Sequence, residues 1–114
     1  DIVVQLGRPG RATHALEPLA DLDGQTLRFR RELAKGEHVF TEFEGPGTAV
    51  ADYDIRLEHR RTGAGVRIRS DRPLTDFVFW AAPRTVCPEP YVDASVAPGE
   101  ETTWTITYEF YTLN

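Results

Sequence analysis

The chain has 114 residues, 40% of them apolar and 27% charged, which suits one folded domain with one core and excludes a disordered chain. A formal net charge of −5 argues against nucleic acid or an anionic membrane as partner. No apolar run approaches the roughly 20 residues of a membrane-spanning helix, and a single cysteine excludes an internal disulfide, so a reducing, cytoplasmic setting is expected.

The chain opens on Asp1-Ile2-Val3-Val4, with neither Met nor a basic-then-apolar leader, as in a processed product or the tail of something longer. Period-2 alternation then predicts a series of short strands with one buried face. The first is Ile2–Leu6, ending at the turn Gly7-Arg8-Pro9-Gly10. Ala12 to Leu22 has room for a helical turn, and the turn Asp21–Gly24 leads into a strand at Thr26–Arg30. Arg31 to Lys35 offers a second helical turn, followed by a strand at His38–Phe43 and the turn Gly45-Pro46-Gly47.

Ala51, Tyr53, Ile55 and Leu57 then alternate with Asp52, Asp54, Arg56 and Glu58. Thr62-Gly63-Ala64-Gly65 turns this strand back into Val66 and Ile68, a predicted β-hairpin. Arginines bunch between Arg56 and Arg72, but interleaved carboxylates point to a mixed-charge ladder on a solvated face. Phe77-Val78-Phe79-Trp80, inside a strand at Asp76–Ala81, is apolar on both faces and predicts a central strand covered on both sides. After the turn at Pro98-Gly99, Trp104, Ile106, Tyr108 and Phe110 form the expected buried face of the last strand. Seven or so strands in one domain, residues 1–114, predict an all-β antiparallel β-sandwich.

Few residues offer chemistry. Ser70 and Ser95 lie outside any nucleophile elbow, and Cys87 has no neighbouring histidine. His14, His38 and His59 lack ligand spacing, so no metal site and no cofactor is expected; His59, after Leu57 on an inward face, reads as a hydrogen-bonded structural histidine. Glu89 stands between Pro88 and Pro90, each of which restricts the backbone around it. Such stiffness suits a positioned proton acceptor, and equally a Pro-Glu-Pro loop that merely exposes a carboxylate.

The segment Trp80…Cys87-Pro88-Glu89-Pro90-Tyr91, then Ala97-Pro98-Gly99-Glu100 and the strand ending in Tyr111, resembles the C-terminal end of aldose 1-epimerases (galactose mutarotases). Upstream, Asp23 to Arg30 and Gly36-Glu37-His38-Val39-Phe40 are similar to that family's Gly-Thr-Pro-x-Asp-Phe-Arg and Asp-His-x-Phe segments, in the same order. The resemblance implies part of the galactose mutarotase-like supersandwich and a metal-independent isomerase of carbohydrate metabolism. It implies a monosaccharide substrate and Glu89 as the general base on the anomeric hydroxyl. Glu37 falls where the family uses an aspartate on sugar hydroxyls, and Tyr91 and Trp80 would supply an aromatic wall, with core packing the other role open to Trp80.

Two departures accompany this match. The loop after Glu89 is shorter than in the family, and the family's general-acid histidine, carried by a preceding half, has no counterpart from Asp23 onward. His14 lacks its Asn-His context. A second reading is therefore a non-catalytic carbohydrate-binding or structural subunit paired with a catalytic chain. A third is an interaction module, since Phe77, Phe79 and Trp80 on a half-sandwich call for an oligomer or a missing N-terminal partner segment as cover.

Overall fold

The computed structural model describes residues 2–45 and 47–114; Asp1 at the chain's start and Pro46 of the Gly45–Gly47 turn lie outside them. Among these described residues, alternating, β-branched and aromatic segments separated by turns become ten strands in chain order. These are β1 (Ile2–Gln5), β2 (Arg11–Ala12), β3 (Ala20–Asp23), β4 (Thr26–Phe29), β5 (Val39–Glu44), β6 (Asp54–His59), β7 (Ala64–Ser70), β8 (Asp76–Ala82), β9 (Thr85–Tyr91) and β10 (Ile106–Thr112). They form two antiparallel sheets, one six-stranded in the order β10-β7-β6-β1-β4-β3 and one four-stranded in the order β2-β5-β8-β9. The all-β antiparallel sandwich expected from the alternation is what the chain forms. Among the described residues no helix is long and apolar enough to cross a membrane.

The core lies between the sheets. Val4, Leu27, Ile55 and Ile68 come from the six-stranded sheet, and Val39, Phe43, Phe77, Phe79 and Ala81 from the other. Phe43 meets Phe77 edge-on with ring centroids 5.3 Å apart and Phe79 at 6.0 Å, packing the rings in offset and T-shaped contacts. Fully buried Thr41 is satisfied locally: its hydroxyl accepts the His14 backbone N–H and donates to the Glu42 carbonyl.

The predicted hairpin is present, with β6 and β7 paired from Asp54↔Arg69 to His59↔Ala64. The arginine cluster is the mixed-charge ladder expected. Arg67 donates two bonds to Asp54, both 2.8 Å, and this guanidinium holds the Asp54 carboxyl below its ordinary value. His59 is structural, its Nδ1 meeting the Thr62 N–H at 3.2 Å and hydroxyl at 3.0 Å.

Several expectations fail for physical reasons. Ala12 to Leu22 does hold a single helical turn, the Leu16 carbonyl accepting the Leu19 and Ala20 N–H groups, but its ends go to β2 and β3. Gly24, at φ +62°, closes a tight hairpin from β3 into β4. Arg31 to Lys35 keeps only a turn bond from the Glu37 N–H to the Ala34 carbonyl. The alternation from Ala51 becomes a strand only at Asp54, because Val50–Asp52 wind into a 3₁₀ turn, with the Asp52 carboxylate accepting the Ala49 N–H. β8 is covered on its inward face alone, leaving Val78 and Trp80 half-buried on the other. The last strand departs furthest. It is at the edge of the wider sheet, and its apolar side is uncovered, with Ile106, Tyr108 and Phe110 41%, 55% and 79% exposed and Trp104 41%.

Candidate functional site

The strand alternation of β8 creates the site. Phe77, Phe79 and Ala81 point into the core and are fully buried, so Asp76, Val78, Trp80 and Ala82 point away from it. Antiparallel register carries that outer face onto the neighbouring strands. Phe40, Trp80 and Cys87 form one row across β5, β8 and β9, and Glu42, Val78 and Glu89 form the next. Tyr91 follows on the same face of β9, opposite Asp76, and is 49% exposed.

Of the four residues singled out in the sequence, three therefore share one sheet face. Glu89 is exposed, with Val78 directly across, Trp80 diagonal to it, and Cys87 and Tyr91 two residues away on its own strand. Trp80 belongs to this face and not to the core. Glu89 sits in a regular strand, not a loop, and its flanking prolines have a structural role of their own. The β8–β9 ladder is continuous from Asp76↔Tyr91 to Ala82↔Thr85, and the Tyr91 carbonyl accepts the Thr75 N–H. A proline nitrogen cannot contribute to that ladder, so Pro88 and Pro90 occupy the positions whose nitrogens face the open edge.

Glu37 is elsewhere. It precedes β5, five residues before Glu42, the residue level with Glu89. Arg31 grips its carboxylate through two bonds of 2.6 and 2.7 Å, and the Ala34 N–H adds a third at 2.7 Å. The Arg31 guanidinium first, and then that backbone bond, lower its pKa to about 2. Most of its acceptor capacity goes to fixing the Arg31–Glu37 loop, apart from the face that carries Glu89.

Three further residues lie on or against the outer face, none of them singled out for it in the sequence. Glu42 is two strand spacings from Glu89, about 10 Å of backbone. Phe40, 40% exposed, extends the aromatic row. His14 packs edge-on against Phe40 at 5.0 Å, with its Nδ1 2.8 Å from the Thr13 hydroxyl. The odd–even alternation of His38–Phe43 could have placed Phe40 and Glu42 opposite Thr41 and Phe43. Nothing local in Thr13-His14 announces its contact with a strand 26 residues away.

The face is open. Among the described residues, Glu89 lines none of the three best-formed clefts. The first, of about 390 Å³, opens at one end of the sandwich between Ile2, Phe29, His59 and the β8–β9 turn. Chemically the outer face is a shallow aromatic shelf with a carboxylate at each side, able to stack a flat apolar surface and accept hydrogen bonds at its margins. Among the described residues no group of three or more His, Cys, Asp or Glu side chains gathers as a metal would need. Comparison of the chain with protein-family models, with curated proteins and with solved structures finds no match.

Proposed function

We propose that the chain handles a hexose on the outer face of its four-stranded sheet, with Glu89 accepting the proton of the anomeric hydroxyl, as the resemblance to aldose 1-epimerases implies. The observation that supports this reading is the placement of Glu89, Trp80 and Tyr91 on one face. A pyranose presents an apolar C–H face that stacks on aromatic rings, and hydroxyls at its rim that a carboxylate can engage. As Glu89 takes the proton of the anomeric hydroxyl, that oxygen becomes the aldehyde carbonyl and the bond between the anomeric carbon and the ring oxygen breaks, the ring oxygen taking up a proton. Rotation about the bond from that carbon to its neighbour presents the other face of the aldehyde. On reclosure the ring oxygen loses its proton while protonated Glu89 returns one to the new anomeric oxygen, with that centre inverted. His14 shares the face but belongs to the segment at β2, three strand spacings or about 14 Å from β9, so protonation of the ring oxygen falls to water.

Polarimetry on a pure anomer tests the assignment. Glu89→Gln should lower catalysed mutarotation by about 10²- to 10⁴-fold, the usual contribution of a general base; an unchanged rate removes Glu89 from the mechanism.

The openness of the face favours a second reading, carbohydrate binding without turnover, because a carboxylate exposed on an open sheet face excludes little water from the reacting atoms. Titration calorimetry separates the two. Binding that survives Glu89→Gln, is lost in Trp80→Ala and is accompanied by no mutarotation supports the second. Absence of binding to any monosaccharide overturns both.

A further inference from the structure

Each sheet has two edges, and three of the four are closed to further pairing. β2 is two residues long. β3 has four residues and carries Asp21 and Asp23, the former bonded to Arg30. β9 turns two proline nitrogens outward. Short strands, charge and proline are the usual devices against edge-to-edge association. β10, seven residues of Ile-Thr-Tyr-Glu-Phe-Tyr-Thr, has the least of this: one charge, Glu109, with no Pro, Lys or Arg, and no bulge in its seven-residue register with β7.

The edge is also firmly held. The Tyr111 hydroxyl donates to Glu58 at 2.7 Å across Gly65 of β7, and Arg72 donates to the Thr102 hydroxyl and the Thr103 carbonyl while lying over the Trp104 ring. Backbone parity says what it offers. The Thr105 carbonyl accepts from Asp71, and the Leu113 N–H donates to Gly63, so odd-numbered residues face β7. The backbone groups of Ile106, Tyr108, Phe110 and Thr112 therefore stand along the open edge, and the first three are also the exposed apolar side chains.

We infer that β10 is a homodimer interface, pairing antiparallel with β10 of a second copy around a two-fold axis at Tyr108. Opposed residues in an antiparallel pair share a face, so apolar positions must oppose apolar positions. Centring on Tyr108 sets Ile106 against a second copy's Phe110 and Tyr108 against itself, and places Glu109 opposite Thr107. Centring on Glu109 instead would oppose two carboxylates. Each Arg69 already stands 3.8 Å from Glu109 of its own copy. With Glu109 opposite Thr107, the second copy's Glu109 comes to the same side, beside the Arg69 that neighbours Thr107 on β7, so the pairing is complementary in charge. An isologous contact of this kind closes on itself and does not grow into a fibre. At about 150–250 Å² per aromatic side chain, the exposed fractions of Trp104, Tyr108 and Phe110 amount to roughly 260–440 Å² per copy, against about 800 Å² for a standard interface partner. Even with the backbone ladder and the flanking polar row added, this is the area of a reversible dimer and not of a permanent one.

Sedimentation velocity across a concentration series tests this, with Phe110→Pro as the decisive variant. Its nitrogen would face the open edge, so it copies the device of β9 and leaves the β7 ladder whole. The expected result is a dimer whose dissociation constant rises at least about tenfold in Phe110→Pro, with the circular dichroism spectrum unchanged. Glu109→Pro, whose nitrogen faces β7, is the control that should damage the fold instead. Register is read by mild oxidation in a Cys87→Ser background. Tyr108→Cys should cross-link to itself, its Cα atoms about 5.5 Å apart in this pairing, and Phe110→Cys should do so far more slowly. A monomer at every concentration, a dimer indifferent to Phe110→Pro, or equal cross-linking at both positions overturns the proposal.

Discussion

β9 and β10 are both seven-residue edge strands, one closing each sheet, and they are built in opposite ways. β9 turns Pro88 and Pro90 outward and shows its neighbours a mixed face of Cys87, Glu89 and Tyr91. β10 leaves every outward N–H in place and carries Ile106, Tyr108 and Phe110 on an uncovered side. The contrast bears on function at both ends. Prolines beside a carboxylate look like catalytic positioning when only the sequence is considered, but at an open edge they are explained by edge protection alone. The case for Glu89 therefore moves from its stiff backbone to its company, Trp80 and Tyr91. At β10, the absence of outward prolines is what turns an apolar strand into an interface.

The largest effect that would break this comparison is at Gly65. A Cβ there would stand 2.5 Å from the Tyr111 ring, which crosses the glycine to reach Glu58. Gly65→Val should evict Tyr111, break its bond to Glu58 and loosen β10 from β7, costing about 2–3 kcal/mol in urea denaturation. Near-wild-type stability would mean that β10 is not anchored through this contact and that its edge is a mobile one.

How much of this was legible in the sequence follows the range of the interactions. The β6–β7 hairpin could be read because alternation and a glycine turn specify it locally. The uncovered side of β10 could not, because Trp104 to Phe110 alternate as well as any buried strand does. Only the width of one sheet against the other decides what covers them. Trp80 and Glu89 are legible as types of residue, but their shared face depends on the β8–β9 register, and the pairing of Glu37 with Arg31 is not legible, because it runs through a loop with no periodic signal.

A smaller effect is expected from converting β9 into an edge like β10. Pro88→Thr with Pro90→Thr restores two outward donors while keeping β-compatible side chains. Stability should fall by about 1–2 kcal/mol, chiefly because the unfolded chain regains freedom. Light scattering should then report self-association that survives Phe110→Pro, since it runs through the other sheet. If the double variant associates no more than the wild type, the prolines are not edge protection, and their role in positioning Glu89 regains its force.

The smallest effect concerns the core side of the sandwich. Tyr53 is 1% exposed and its hydroxyl finds no hydrogen-bond partner among the described residues. Burial, with the neighbouring Tyr108 of β10 adding to it, pushes its pKa up to about 12. A phenol whose folded pKa lies above its unfolded value near 10 gives stability that is complete below about pH 10 and is lost as pH rises through about 12. Tyr53→Phe deletes an unsatisfied buried donor, so it should raise stability at neutral pH by about 1 kcal/mol and flatten the alkaline limb of the unfolding curve between pH 10 and 12. A loss of stability instead would show that the hydroxyl is satisfied in solution. The core beneath the β10 side of the sandwich would then be as well matched as the one beneath β9, and the difference between the two edges would rest on their outward backbone alone.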